Sequence, residues 1–303
     1  MPDKPSAEPN KTNVGAPGES IPLLPANPSW ARVQLARHPK RPHSLDYIQR
    51  LFSNFQELHG DRHFGDDPAI VAGMGWFEEN PVMVIAQQKG RDTKQKLYRN
   101  WGMPKPEGYR KAMRLMELAD KFSRPIISLV DTMGAYPGMD AEERGQAEAI
   151  AYNLREMARL TVPVIAVVIG EGGSGGALGV AVANRVYMLQ NAWYSVISPE
   201  SCAAIIYRDA TRAPEAAAAL KVTAPDMLRL GLIDGIIPEP GEGAQTDPDV
   251  TAEAIRETLR RGLAELAPLS EQQLKDQRYQ KFRAMGAYFS EATHSEAAHV
   301  GAK

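Results

Sequence analysis

Two apolar runs, Ala69 to Phe77 and Val82 to Gln88, flank the polar tetrad Glu78-Glu79-Asn80-Pro81, a pattern that predicts two strands joined by a hairpin turn. Further on, Ala112, Leu115, Met116, Ala119 and Phe122 recur at helical spacing within 107–122. The short apolar run from Pro125 to Val130, closed by Asp131, suits a buried strand. Asp140 reads as an N-cap, with Glu142 and Glu143 in the first turn of a helix extending to about Leu160. Val162 to Ile169, rich in β-branched residues, predicts a strand buried on both faces. A helix is expected after Gly175, and short strands at Arg185 to Leu189 and Tyr194 to Ile197. From 199 to 287 the pattern is mostly helical, broken between Gly231 and Pro240. Strands and helices in this order predict an α/β protein whose helices cover a largely parallel sheet.

The ends do not share this patterning. Seven prolines fall within residues 1–29 among few large apolar residues, so that segment cannot offset its ordering entropy and is expected to be a disordered tail. The small, polar residues 288–303 predict a second one, leaving 30–287 as the folded part. The 35 Lys and Arg against 37 Asp and Glu give a net charge of −2, which argues against a dedicated nucleic-acid binder. One cysteine, Cys202, excludes an internal disulfide and a cysteine-rich zinc site on this chain. With no apolar run long enough to span a bilayer and no secretory signal pattern, a cytoplasmic location and no membrane partner are expected.

Candidate chemistry lies in two glycine-rich loops, each after a buried strand and before a helix. The first is Asp131-Thr132-Met133-Gly134-Ala135-Tyr136-Pro137-Gly138; the second runs from Gly170 to Ala177 and includes Gly172, Gly173, Ser174, Gly175 and Gly176. Ligands of α/β proteins sit at the carboxyl ends of the strands, where a helix N-terminus offers unpaired N–H groups to an oxyanion. Gly170, Gly172 and Gly175 fit a dinucleotide fingerprint, but 186–198 lacks the acidic residue that the fingerprint requires. Gly172, Ser174 and Gly176 fit the serine-hydrolase elbow, leaving Ser174 open as a nucleophile; of the six histidines only His294 and His299 lie downstream. Nine basic residues between Lys89 and Arg114, against Asp92 and Glu107, suit a solvated face, an acidic partner or a phosphate-bearing substrate; Tyr98, Trp101 and Tyr109 also make single-stranded nucleic acid conceivable.

The motifs QKGRDTK (88–94), NWGMPKPEGYRK (100–111), DTMGAYPG (131–138), AEERGQAEA (141–149), IGEGGSGGALG (169–179) and YSVISPESCA (194–203) closely resemble the alpha subunit of the carboxyltransferase component of bacterial acetyl-CoA carboxylase. The likeness covers roughly 34–288 and includes RHPKRPHSLDYI and GDRHFGDD near its start. It implies a crotonase-like fold of repeated β-β-α units with a helical C-terminal region, and a beta subunit of the same fold, in an α2β2 assembly. It further implies that carboxybiotin, carried on the biotin carboxyl carrier protein and charged by biotin carboxylase, donates its carboxyl group to acetyl-CoA to give malonyl-CoA for fatty acid synthesis. A related subunit acting on another acyl-CoA stays open.

By that resemblance, N–H groups at Gly175 and Gly176 hold the ureido oxygen of biotin, and the beta subunit holds the thioester oxygen and carries the zinc, with no metal on this chain. Gly172, Gly173, Gly134, Ala135 and Tyr136 are expected to shape the substrate site, and Arg91 to steady the transferred carboxylate. The chain departs from the family pattern at Met133, where proline is usual, and at Ser201, where glycine is usual. The usual N-terminal helical extension is also shortened and proline-rich.

Overall fold

The computed structural model describes residues 28–286, so 1–27 of the first expected tail and the whole of the second, 288–303, with His294 and His299, lie outside the described residues. The chain enters through α1 (Pro28–Ala36), whose first turn takes Pro28 and Ser29 from the proline-rich segment. Next come α2 (Ser44–Leu51) and an edge strand, β1 (Ser53–Glu57). The expected hairpin follows as β2 (Ile70–Phe77) and β3 (Asn80–Gln87), closed by a two-residue turn with Glu78 left-handed at φ 55°. A short α3 (Thr93–Tyr98) precedes α4 (Pro106–Lys121), which opens with proline at its first position. Tyr109, Ala112, Met113, Leu115, Met116 and Ala119 form its buried face, whereas Phe122 falls past the helix end and is exposed.

The next elements are β4 (Ile126–Thr132), α5 (Met139–Glu143), α6 (Gln146–Met157), β5 (Val164–Gly173) and α7 (Ser174–Leu178). Two expectations change here. The helix expected from Asp140 to about Leu160 is broken: Gly145 at φ 83° separates α5 from α6, and the residue capping α5 is Gly138, while Asp140 accepts a hydrogen bond from Lys105 Nζ at 2.9 Å. The second glycine segment is not a loop, because β5 runs on through Gly173. It can do so because Glu171, Gly172 and Gly173 pair with Trp193, Tyr194 and Ser195, supplying backbone partners where the side chains vanish.

The remaining strands are β6 (Arg185–Leu189) and β7 (Trp193–Ser195), then α8 (Pro199–Ile206), α9 (Ala213–Leu220), α10 (Ala224–Arg229), β8 (Gly235–Ile237), α11 (Pro248–Leu266) and α12 (Glu271–Arg283). The sheet order is β1-β2-β3-β4-β5-β6-β8, with β7 paired to the end of β5. β1, β2 and β3 are antiparallel, and from β3 to β8 all neighbours are parallel. β4 and β5 are buried along their whole length, as expected of a parallel sheet covered on both faces. α12 is pinned by Arg278, which donates to the carbonyls of Met157, Leu160 and Val162 and to Asn184 Oδ1.

Candidate functional site

Three neighbouring parallel strands each carry a charged residue near their carboxyl ends, two of them buried and the third, Lys89, half-buried. Lys89 lies just past β3, Asp131 in β4 and Glu171 in β5; Lys89 Nζ sits 2.7 Å from Asp131 Oδ1 and 2.6 Å from Glu171 Oε1. Asp131 Oδ1 also accepts the Glu171 backbone N–H at 2.9 Å, and Glu171 takes Arg37 Nε at 2.6 Å. Burial opposes charge on Lys89, but the two carboxylates outweigh it and hold the ammonium above its ordinary range. Burial likewise raises Glu171, and Lys89 with Arg37 outweighs it, so this carboxylate stays ionised below its usual range. The network joins the root of the 132–136 segment to the root of the 172–176 segment.

Beyond that root the two segments touch backbone to backbone. A methyl group on Gly176 would lie 2.4 Å from the nitrogen of Ala135, and one on Gly173 would lie 2.0 Å from the carbonyl oxygen of Met133. Only glycine permits this approach. Ser174, first residue of α7, is left-handed at φ 55°, which strains a residue bearing a side chain. Among the described residues no side chain caps α7, and helix geometry leaves the N–H groups of Ser174, Gly175 and Gly176 without an intrahelical acceptor. Gly175 faces open space: a methyl group there would meet nothing nearer than Ile150 Cγ2, at 3.8 Å.

Gly175 and Ser174 border a cavity of about 500 Å³ whose walls are mainly apolar, among them Leu178, Val196, Leu230 and Phe282. A second cavity, of about 610 Å³, is lined mostly by polar and charged residues, among them Lys89, Arg91, His43 and Glu171, and also by Met133. Arg91 is ion-paired there with Asp46 of α2, so the structure groups Gly134, Ala135, Gly173, Gly175 and Gly176 but places Arg91 along a different cavity from Gly175. Burial, reinforced by Lys89 and Arg91, holds the His43 imidazole below its ordinary range against the pull of Asp131 and Asp46. Tyr136 carries Lys105 Nζ over its ring at 4.7 Å and is anchored by its N–H to the Pro104 carbonyl. Gly172 gives room to the ring of Tyr194.

Ser174 has the elbow conformation of a nucleophile but no base. Among the described residues no histidine, carboxylate or lysine hydrogen-bonds its hydroxyl, and its cavity holds none of them. The basic segment is partly spent, with paired cations interrupting the unpaired ones: Arg110 pairs with Asp61 and Glu107, Lys111 with Asp66, Lys105 with Asp140, Arg91 with Asp46 and Lys89 as above, while Lys94, Lys96, Arg99 and Arg114 have no carboxylate partner among the described residues. It therefore forms no continuous basic strip for nucleic acid. Ser201 sits in the first turn of α8 with right-handed backbone, its N–H bonded to Ser198 Oγ, so glycine's freedom is not required there. Met133 likewise has no positive φ, so replacing proline demands no left-handed backbone.

Residues 26–286 match the sequence family described as acetyl co-enzyme A carboxylase carboxyltransferase-like. The chain belongs to this family. It is 61% identical over 259 residues to the acetyl-coenzyme A carboxylase carboxyl transferase subunit alpha of Geobacter metallireducens, an alignment covering 86% of this chain and 81% of that protein. It is 60% identical over 259 residues to the subunit of the same name from Thermus thermophilus, covering 86% and 83%. Among solved structures it resembles transcarboxylase 12S at TM-score 0.63 and 19% identity, covering 78% of this chain and 44%, less than half, of that one. It also resembles a chain of a Pseudomonas malonate decarboxylase hetero-tetramer at TM-score 0.59 and 19% identity, covering 77% and 91%. The fold is that of the crotonase-like carboxyltransferases, and the chain is a carboxyl-transferring enzyme of that group.

Proposed function

We propose that this chain is the alpha subunit of an acetyl-CoA carboxylase carboxyltransferase, and that it supplies the biotin half of a site completed by a beta subunit. The observation that carries the reading is the uncapped start of α7, with Gly175 in open space beside a mainly apolar cavity. Such a cavity suits an uncharged bicyclic ring with one carbonyl oxygen, which is the chemistry of biotin's ureido ring. When bound, carboxybiotin supplies the carboxyl group that passes to acetyl-CoA.

The work of this chain is then electrostatic. The N–H groups of Gly175 and Gly176 donate to the oxygen that gains negative charge as the carboxyl group leaves; removing one such donor costs about 10²–10³ in rate. Because the amides are held by strand pairing on one side and by the 132–136 segment on the other, they need no reorganisation during reaction. Lys89, Asp131 and Glu171 keep the two segments in register, Tyr136 forms part of the wall, and Arg91, steadied by Asp46, offers its remaining N–H groups to a carboxylate. The partners in this reading are the beta subunit, in an α2β2 assembly, the biotin carboxyl carrier protein and biotin carboxylase.

The test is the reverse reaction, in which biotin is carboxylated from malonyl-CoA. The purified chain mixed with its beta subunit is expected to catalyse it, and either one alone is not. Full activity from the isolated chain would contradict the shared site.

A further inference from the structure

A third cavity, of about 720 Å³, opens between the 59–67 loop, α4 and α6, and nothing in the proposed reaction uses it. Two of its arginines are held in an unusual way. Arg62 Nη1 donates to the carbonyl of His59 at 2.9 Å, and Arg114 Nη2 donates to the same oxygen at 3.3 Å, with Arg114 Nε on the Gly60 carbonyl at 3.1 Å. Two guanidinium groups thus converge on one neutral acceptor. Among the described residues neither has a carboxylate partner, and most of their N–H donors have no protein acceptor.

Asp61 and Asp66 are committed elsewhere. Asp61 takes Arg110 and the N–H groups of His63, Phe64 and Gly65, while Asp66 takes Lys111, the Gly60 N–H and His59. Burial first, and then repulsion from Arg62, hold the Arg114 guanidinium below its ordinary range. The loop also pays in backbone strain to make the pair. Arg62 is left-handed at φ 66°, and its guanidinium folds back over Gly60, where a methyl group would lie 2.9 Å from Nη1.

We infer that Arg62 and Arg114 form a binding site for a compact oxyanion of the phosphate-monoester class. Paired guanidinium forks match the oxygens of such a group. Glu117, which accepts the Tyr152 hydroxyl, and Glu148 line the same cavity and repel a second anionic group, so the ligand carries its charge at one end. The exposed ring of Phe64, covered by Arg144 at 4.5 Å, borders the cavity as well.

The residues that line the cavity are all on this chain, so calorimetric titration of the chain tests it without any partner. Inorganic phosphate and adenosine 3′-monophosphate are titrated at constant ionic strength. Both are expected to bind saturably, and R62Q or R114Q weakens binding by at least about tenfold, as expected for loss of a charge-assisted hydrogen bond. K94Q, removing an exposed cation elsewhere, is expected to change nothing. The melting temperature reports whether each variant folds, and R62Q carries the test if R114Q does not, since the Arg62 side chain is exposed. Absence of saturable binding to the wild-type chain at millimolar phosphate, or undiminished binding in R62Q, would overturn the proposal. So would binding of an acidic peptide without binding of either phosphate.

Discussion

Gly176→Ala adds a single methyl group where the structure leaves no room for one. The new carbon would start 2.4 Å from both the Ala135 nitrogen and the Gly134 carbonyl carbon. A relaxed contact needs about 3.5 Å or more, and both neighbours are main chain, so one of the two segments must retreat by roughly 1 Å. Overpacking of this kind costs about 1–3 kcal/mol, and in a domain this size each kcal/mol lowers the melting temperature by about 2–4 °C. Retreat also moves the amides at the start of α7, so kcat in the assembled enzyme is expected to fall by about 10²–10³, the value of one misplaced oxyanion donor. Gly175→Ala is the companion variant. Its methyl group would meet nothing closer than 3.8 Å, so it should melt with the wild type, and any loss of turnover then reports crowding of the cavity alone. The assay is the reverse carboxylation of biotin, with melting curves on the same preparations. A Gly176→Ala enzyme with wild-type kcat and an unchanged melting temperature would refute the contact between the segments and the role assigned to it.

Three further outcomes rest on the same geometry. Ser174→Ala should keep most of the activity, and Ser174→Gly should keep it while raising stability by up to about 1 kcal/mol, because glycine relieves the left-handed strain at φ 55°; loss of activity in the alanine variant, or labelling by a reactive-serine probe, would restore the hydrolase reading. Glu171 has a folded pKa below its usual value, so its contribution to stability is present above about pH 4.5 and lost as the pH falls through the lower folded value. Denaturant melts of Glu171→Gln should therefore show a flatter acid limb than the wild type, and an identical limb would contradict the pairing with Lys89 and Arg37. Arg278→Met strips donors from three carbonyls and Asn184 and should destabilise the chain by about 3–5 kcal/mol, as when a buried polar network is broken; a loss under about 1 kcal/mol would show that α12 is held by apolar contacts alone.

Where structure follows from local pattern, the sequence reading succeeds. The hairpin of β2 and β3, the helix beginning near Glu107 and the strand β6 are each set by apolar period and turn chemistry, and they stand within a residue or two of expectation. The glycines of 170–173 misled because a segment without side chains carries no period. Their strand is dictated by pairing with β7, some twenty residues on. Gly145 was visible, but only its left-handed backbone shows that it divides two helices. The glycine-rich segments of the candidate site were legible as a class, since each follows a buried strand. The charged floor beneath them was not, because Lys89, Asp131 and Glu171 meet only when three parallel strands align in register. For the same reason the basic segment looked like a patch: its partners Asp46, Asp61, Asp66 and Asp140 lie outside it in sequence.

In the proposed reaction, main-chain amides of this chain carry the charge shed during carboxyl transfer. The decisive measurement is a structure of the assembled enzyme with biotin bound. The ureido oxygen is expected within about 2.7–3.1 Å of the Gly175 and Gly176 nitrogens, with the ring in the apolar cavity. A ring seated in the polar cavity beside Arg91, with those two amides facing solvent, would contradict it.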